Sequence, residues 1–173
     1  MHRTVGVTIV MAAGLAATPA WADTGRAAIK GTAEGSAVSG TATLAQRPEG
    51  MAISVQLSGV SPGKHGLHIH QYGDCSDGGN AAGGHYNPQG APHGFVVTDG
   101  FTKAHPGDLG NIDIGADGTG ILTVMVPGLS LSGGPYSVAG RAIILHEKVD
   151  DFGQPTGNAG GRIGCGPILL IKD

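Results

Sequence analysis

The chain has 173 residues, which is long enough for one well-buried core and too short to make two domains the default. Lysine and arginine number 10 against 13 aspartates and glutamates, a formal net charge of −3, so the composition excludes the basic footprint of a nucleic-acid-binding domain. The 33 glycines and 10 prolines approach the share typical of low-complexity disorder, and the periodicity of the apolar residues decides against it.

The first segment has the organisation of a secretory signal peptide. A basic start precedes an apolar run from Val5 to Ala17, and Ala20-Trp21-Ala22 is the small-residue pattern of a cleavage site. The run is shorter than the roughly 20 residues of a spanning helix, which disfavours a membrane anchor. We therefore expect residues 1–22 to be removed and residues 23–173 to form one domain in the periplasm or, alternatively, the extracellular space.

Two neighbouring segments predict a β-hairpin. The segment TATLAQ at 41–46 alternates weakly, and RPEG at 47–50 supplies turn residues. The segment MAISVQLSGV at 51–60 alternates clearly, with its apolar side chains on one parity and serine and glutamine on the other. One face of this hairpin should be buried and the other wet.

A further strand is predicted around Leu67 and Ile69, in the run KHGLHIHQYGDC. His68 and His70 have the opposite parity, so their rings emerge together from the other face of the sheet. If the apolar pair points into the core, the histidine pair needs a loop to cover it. His65 has the parity of the apolar residues, and we do not expect it to be a ligand.

The remaining segments also favour an all-β fold. Residues 73–118 form a long stretch dense in glycine, asparagine, aspartate and proline, in which only FVV at 95–97 hints at extended structure. Strands are predicted at 120–126 and 140–148, a second irregular stretch spans 150–161, and no window shows sustained helical spacing. The expected architecture is a β-sandwich or small barrel. Because loops of this length are usually functional or disordered, we expect a functional feature to order the long loop.

Histidines are concentrated where metal ligands could converge. Seven of the eight histidines follow residue 22, and His146 has the parity that lets it join His68 and His70. A purely imidazole site favours Cu(II), and three nitrogens with one carboxylate suit tetrahedral zinc. The loop offers such a set in His85, His93, His105 and Asp108. The spacing predicts a metal protein but does not assign the two metals to the two sites.

The chain contains two cysteines, Cys75 and Cys165. In an exported chain a disulfide between them is the natural expectation, and two unrelated buried thiols are the alternative.

Five segments together resemble a known family, the copper/zinc superoxide dismutases. The resemblance covers nearly the whole of residues 23–173. It rests on HGLHIHQYGD at 65–74, GGHYNP at 83–88, HPGDLGN at 105–111, LSLSGGPYSVAGRAIILHEKVDD at 129–151 and GNAGGRIGCG at 157–166.

This resemblance implies an eight-stranded, immunoglobulin-like Greek-key barrel with two long functional loops. It also implies one copper and one zinc ion per subunit. Copper would be held by His68, His70, His85 and His146, and zinc by His85, His93, His105 and Asp108. Asp150 would link His68 to His93, and the Cys75–Cys165 disulfide would pin the covering loop.

The implied activity is the disproportionation of superoxide by cycling of copper between Cu(II) and Cu(I). Arg162 would attract the anion at the mouth of a channel that Thr156 and Lys148 flank, and His85 would deliver a proton. The alternative is a non-catalytic periplasmic protein that binds or buffers copper and zinc. Beyond superoxide we expect no nucleic-acid or membrane partner, and the apolar segment PILLIKD at 167–173 fits either a homodimer interface or a closing strand.

Two departures from the family pattern concern loops. The gap between His93 and His105 is longer than usual, and the loop before Gly157 is shorter than in typical animal enzymes and lacks their acidic and lysine residues.

Overall fold

The computed structural model describes residues 24–171, so the expected signal peptide lies outside the described residues. The elements are β1 Thr24–Gly31, β2 Ser39–Arg47, β3 Gly50–Ser58, β4 Gly63–His70, a 3₁₀ helix Asp77–Ala82, α1 Val96–Asp99, β5 Asp108–Ile114, β6 Gly120–Val126, β7 Ala142–His146, β8 Arg162–Pro167 and β9 Leu169–Ile171. Within residues 24–171 no helix is long and apolar enough to cross a membrane.

The nine strands of the described residues form one antiparallel sheet, in which eight follow the order β5-β4-β7-β8-β1-β2-β3-β6 and β9 pairs with β1 outside this order. The end strands β5 and β6 contact each other, so the sheet curls into a nearly closed barrel. Neighbours that are far apart in sequence, such as β4 with β7 and β1 with β8, require the long connections of a Greek key. The predicted all-β barrel is confirmed.

The hairpin of β2 and β3 follows the predicted alternation. Its register runs from Ser39 opposite Ser58 to Arg47 opposite Gly50. The alternating apolar residues of β3 fill the barrel core, and those buried there are Met51, Ile53, Val55 and Leu57. Burial of apolar side chains contributes about 25 cal/mol per Å², so the parity of β3 fixes its register.

Two predictions within the long irregular stretch are wrong. Residues 108–114 form strand β5, which pairs with β4. Its first three residues are buried in succession, so the strand lacks the alternation by which a half-wet strand is recognised. Residues 96–99 form a helical turn because Asp99 accepts the main-chain N–H of Phe95, 2.9 Å away.

A disulfide joins Cys75 to Cys165 across a sequence separation of 90. It ties the segment after β4 to strand β8, which confirms the expected pairing. The 3₁₀ helix begins two residues after Cys75 and contacts β8.

The segment 169–171 is a short closing strand, β9, which pairs with β1. Its Leu169 remains 62% exposed. Residues 169–171 of the apolar segment therefore form a closing strand, which was one of its two expected roles. The homodimer stays a prediction.

Candidate metal centre

The first cluster forms where β4 and β7 lie side by side. Their register sets His68 opposite Ile144 and His70 opposite Ala142, and His146 ends β7. His85 comes from the covering segment, and its main chain forms an isolated β-bridge with that of His70. One nitrogen of each ring lies within 4.8 Å of the others. The rings leave the core face, as parity predicts, but all are at most 6% exposed because the long segments cover them. The members of this first cluster are His68, His70, His85 and His146.

The second cluster is built around Asp108 at the start of β5. Its carboxylate oxygens lie 2.8 Å from His85 Nδ1, 3.0 Å from His105 Nδ1 and 2.8 Å from His93 Nδ1. Asp108 is fully buried. His85 therefore belongs to both clusters, and the structure brings together every residue that the resemblance implies for a copper and a zinc ion.

Unsatisfied nitrogens test whether these sets fit metals. Among the described residues, the buried side-chain atoms without a hydrogen bond are His68 Nδ1 and His93 Nδ1, one in each cluster. His93 Nδ1 is close to Asp108 but lacks hydrogen-bonding geometry. Buried polar atoms are rarely left unpaired, and a metal ion at each cluster satisfies them. The four imidazoles fit copper, and the three imidazoles with a carboxylate fit zinc.

Burial keeps three of the histidines neutral. Desolvation lowers the pKa of His70 to about 2, that of His146 to about 3 and that of His85 to about 4, and neighbouring imidazoles add to the lowering. For His85 the hydrogen bond to Asp108 opposes the effect without overcoming it. Since only a neutral imidazole binds a metal, these rings are ready as ligands at pH 7.

His93 behaves in the opposite way because two carboxylates face it. Desolvation lowers its pKa, but the close approach of Asp108 and the hydrogen bond to Asp150 outweigh burial and raise the pKa of His93 to about 9. Desolvation raises the pKa of both carboxylates, but hydrogen bonds with histidines, above all His105 at Asp108 and His68 at Asp150, outweigh it and hold each pKa below the usual range. The buried negative charges are thus paired.

Asp150 links the two clusters because it contacts one histidine of each. Its Oδ2 lies 2.8 Å from His68 Nε2, and its Oδ1 lies 2.9 Å from His93 Nε2. Asn111 in turn holds the main chain of Asp150: the Asp150 N–H donates to Asn111 Oδ1 at 2.7 Å, and Asn111 Nδ2 donates to Asp150 O at 2.9 Å. The structure places Asp150 where the resemblance implies it. Such partners orient ligand rings and fix their tautomers.

A cavity opens onto the first cluster. Its lining includes Thr156 and Arg162 together with Asn158, His70, His85 and His146. Arg162 donates hydrogen bonds of 2.6 Å to the carbonyl oxygens of Gly79 and Gly83, and partial burial lowers its pKa. Lys148 is exposed and lies outside this lining, although its N–H donates to Ala159, which belongs to it.

Several supporting residues escape sequence reasoning. Asn111 and Gln154 act on the main chain of Asp150 and His93, and Gly83 acts through its carbonyl group, so no spacing of side chains marks them. His65 Nδ1 lies 2.9 Å from the carbonyl oxygen of His146, and so it supports the cluster without joining it.

Comparisons with known proteins match this architecture. A family model described as copper/zinc superoxide dismutase (SODC) matches residues 38–168. A solved structure titled "Crystal Structure Analysis of the clock protein EA4" is similar with 33% sequence identity and a TM-score of 0.76, and the match covers 91% of this chain and 100% of that chain. The residues matched by the family model include both clusters, Asp150 and Arg162.

Proposed function

The chain belongs to the copper/zinc superoxide dismutase family, and we propose that it is an enzyme that converts two superoxide anions and two protons into dioxygen and hydrogen peroxide. The observation that carries this proposal is the cavity in which Arg162 and three histidines of the first cluster face the same space. A protein that only stores metal does not need a fixed cation beside the ligands.

The two clusters would hold copper and zinc as the family does. Copper would be bound by His68, His70, His85 and His146, and zinc by His85, His93, His105 and Asp108. When bound, copper supplies a one-electron acceptor and donor, and zinc supplies a fixed positive charge.

Arg162 attracts and orients the anion. Its guanidinium group is held by carbonyl oxygens of Gly79 and Gly83, so the charge stands at a fixed place in the cavity. The whole chain carries a formal net charge of −3, and local positive potential must therefore overcome the global repulsion of an anion.

His85 carries the proton for the second half of the reaction. Its Nδ1 is directed to Asp108 at 2.8 Å, which leaves Nε2 as the nitrogen available on the cavity side. A proton taken up by Nε2 would lie on the cavity side, where the departing peroxide can accept it.

The test is to load residues 23–173 with both metals and measure the suppression of superoxide-driven reduction of cytochrome c. The matched control is the same preparation after both metals have been removed. Suppression by the loaded protein alone supports the enzyme. Full occupancy of both metals without suppression would overturn it in favour of a copper- and zinc-binding protein.

We also propose that the chain is exported, most simply to the periplasm, after cleavage behind Ala22. The support is the apolar run and small-residue pattern of the first 22 residues. N-terminal sequencing of the exported protein tests this, and a mature chain that retains Trp21 would contradict the cleavage site.

A further inference from the structure

The side chain of Gln154 pairs with the main chain of His93 in both directions. Gln154 Nε2 donates to the carbonyl oxygen of His93 at 2.8 Å, and the N–H of His93 donates to Gln154 Oε1 at 2.9 Å. The two hydrogen bonds form a closed ring, as between neighbouring β-strands, although no strand lies on either side. They connect the covering segment before β5 to the one after β7.

The ring of His93 is held by other residues of the same segment. Asp150 contacts Nε2 at 2.9 Å, and the ring of Phe152 stacks on the imidazole with centroids 6.4 Å apart and planes 22° apart. Asp108 faces Nδ1 at 2.8 Å. Asp150 and Phe152 restrain the ring, whereas Gln154 satisfies the two main-chain groups of the residue.

We propose that Gln154 is a positioning residue that fixes the main chain of His93 and thereby slows the release of zinc from the second cluster. The inference rests on the proposed assignment of zinc to that cluster. Two hydrogen bonds at the ends of one amide prevent the main chain of His93 from rotating, which keeps Nδ1 in its place in the second cluster. Loss of an outer partner of a metal ligand typically costs 10- to 100-fold in metal affinity.

Gln154 lies at the surface, between the solvent and the buried His93. The residue is exposed and its hydrogen bonds are only partly buried, whereas His93 is 3% exposed. Opening of the segment that carries Gln154 would bring water to His93 from this side. The amide therefore holds the outermost contact of a ligand that is otherwise enclosed.

The experiment compares zinc release from the zinc-loaded wild type, Q154A and Q154M, followed with a chromogenic chelator in stopped flow. Methionine keeps the length of the side chain and removes both hydrogen bonds. We expect release to be about tenfold faster in both variants. Release from Q154M at the wild-type rate would overturn the inference, because the loss of both amide hydrogen bonds would then have no effect on zinc release.

Q46A is the matched control. Gln46 also uses its amide oxygen to accept a main-chain N–H, that of Leu131 at 3.0 Å, but contacts neither cluster. We expect Q46A to release zinc at the wild-type rate. Equal acceleration in Q46A and Q154M would show general loosening of the fold and would overturn a specific role for Gln154.

A spectroscopic readout separates positioning from stability. With Co²⁺ in place of zinc, the visible absorption of Q154M should shift, because the alignment of one ligand changes, whereas that of Q46A should not. An unshifted Co²⁺ spectrum in Q154M would overturn the inference. A wild type that holds zinc but does not remove superoxide would overturn the proposed function alone, and the difference between Q154M and Q46A would still decide the role of Gln154.

Discussion

Arg162 and His70 share one hydrogen-bond acceptor, the carbonyl oxygen of Gly83. Arg162 donates to it at 2.6 Å, and His70 Nδ1 lies 2.9 Å from it. A main-chain carbonyl directly after the 3₁₀ helix therefore aligns the cation of the cavity with a member of the first cluster. Any displacement of this carbonyl alters both.

Replacing Arg162 by alanine should lower the rate of superoxide removal at least tenfold, since a fixed charge that steers an anion contributes 10- to 1,000-fold. The dependence of the rate on ionic strength should weaken as well, because salt has less local potential to screen. Pulse radiolysis at several salt concentrations measures both. Arg162→Lys keeps a charge but not the two-pronged contact with Gly79 and Gly83, so its rate should lie between those of the wild type and the alanine variant. An undiminished rate in the alanine variant would contradict the steering role.

Replacing Asp150 by asparagine should weaken the binding of both metals by 10- to 100-fold, because Asp150 contacts one histidine of each cluster. Competition with chelators of known affinity measures the change. Asp151→Asn is the control, since that neighbouring carboxylate is exposed and accepts from Asn158. Equal affinities in the two variants would show that Asp150 does not orient the ligands.

Replacing Gly157 by alanine should destabilise the protein and disturb the metal centre. Its φ is +73°, and an added Cβ would overlap the carboxylate of Asp150 and approach His93 Nε2 to 2.6 Å. Gly133 has nearly the same φ, +72°, with nothing within 4 Å of the added atom. Gly133→Ala should therefore cost only the left-handed strain of about 1–2 kcal/mol.

Urea unfolding of the two metal-free glycine variants measures this difference. A Gly157→Ala variant no less stable than Gly133→Ala would refute the close approach between the loop and Asp150.

The metal-free protein should be most stable near pH 7, where the opposite effects of the histidines balance. His93 has a raised pKa of about 9, so its contribution is fully present below 6.5 and is lost as the pH rises through 9. Three histidines have lowered pKa values: His70, His85 and His146. Below pH 6.5 the unfolded chain therefore takes up more protons than the folded chain, and the stability decreases as the pH is lowered. The lowered pKa values of Asp108 and Asp150 add a further loss below 3.8.

Urea unfolding of chelator-treated protein between pH 4 and pH 10 measures this profile. His93→Gln should remove the loss on the alkaline side. A free energy of unfolding that still rises between pH 7 and pH 9 in the wild type would contradict the charge assigned to His93.

Strand geometry relates parity to face, and this alone placed His68, His70 and His146 together, whereas the membership of His85 in both clusters followed from the family resemblance. Leu67 and Ile69 enter the core, and His68 and His70 leave it, as the period of two requires. Sequence reasoning could not find β5, whose first residues are buried in succession. It also could not find Asn111 or Gln154, because their partners are main-chain groups brought near by the fold.

The place of β1 in the sheet has a kinetic consequence. One edge of β1 pairs with β2, which follows it directly, and the other edge pairs with β8, where Lys30 lies opposite Cys165. Strands so distant in sequence meet slowly, because the chain must lose loop entropy before the pairing is rewarded. The same holds for β4 and β7, which carry three of the four first-cluster histidines. Capture of ions by the refolding chain should therefore be governed by the chain's topology rather than by ion diffusion, and the moment of metal uptake marks the completion of the barrel.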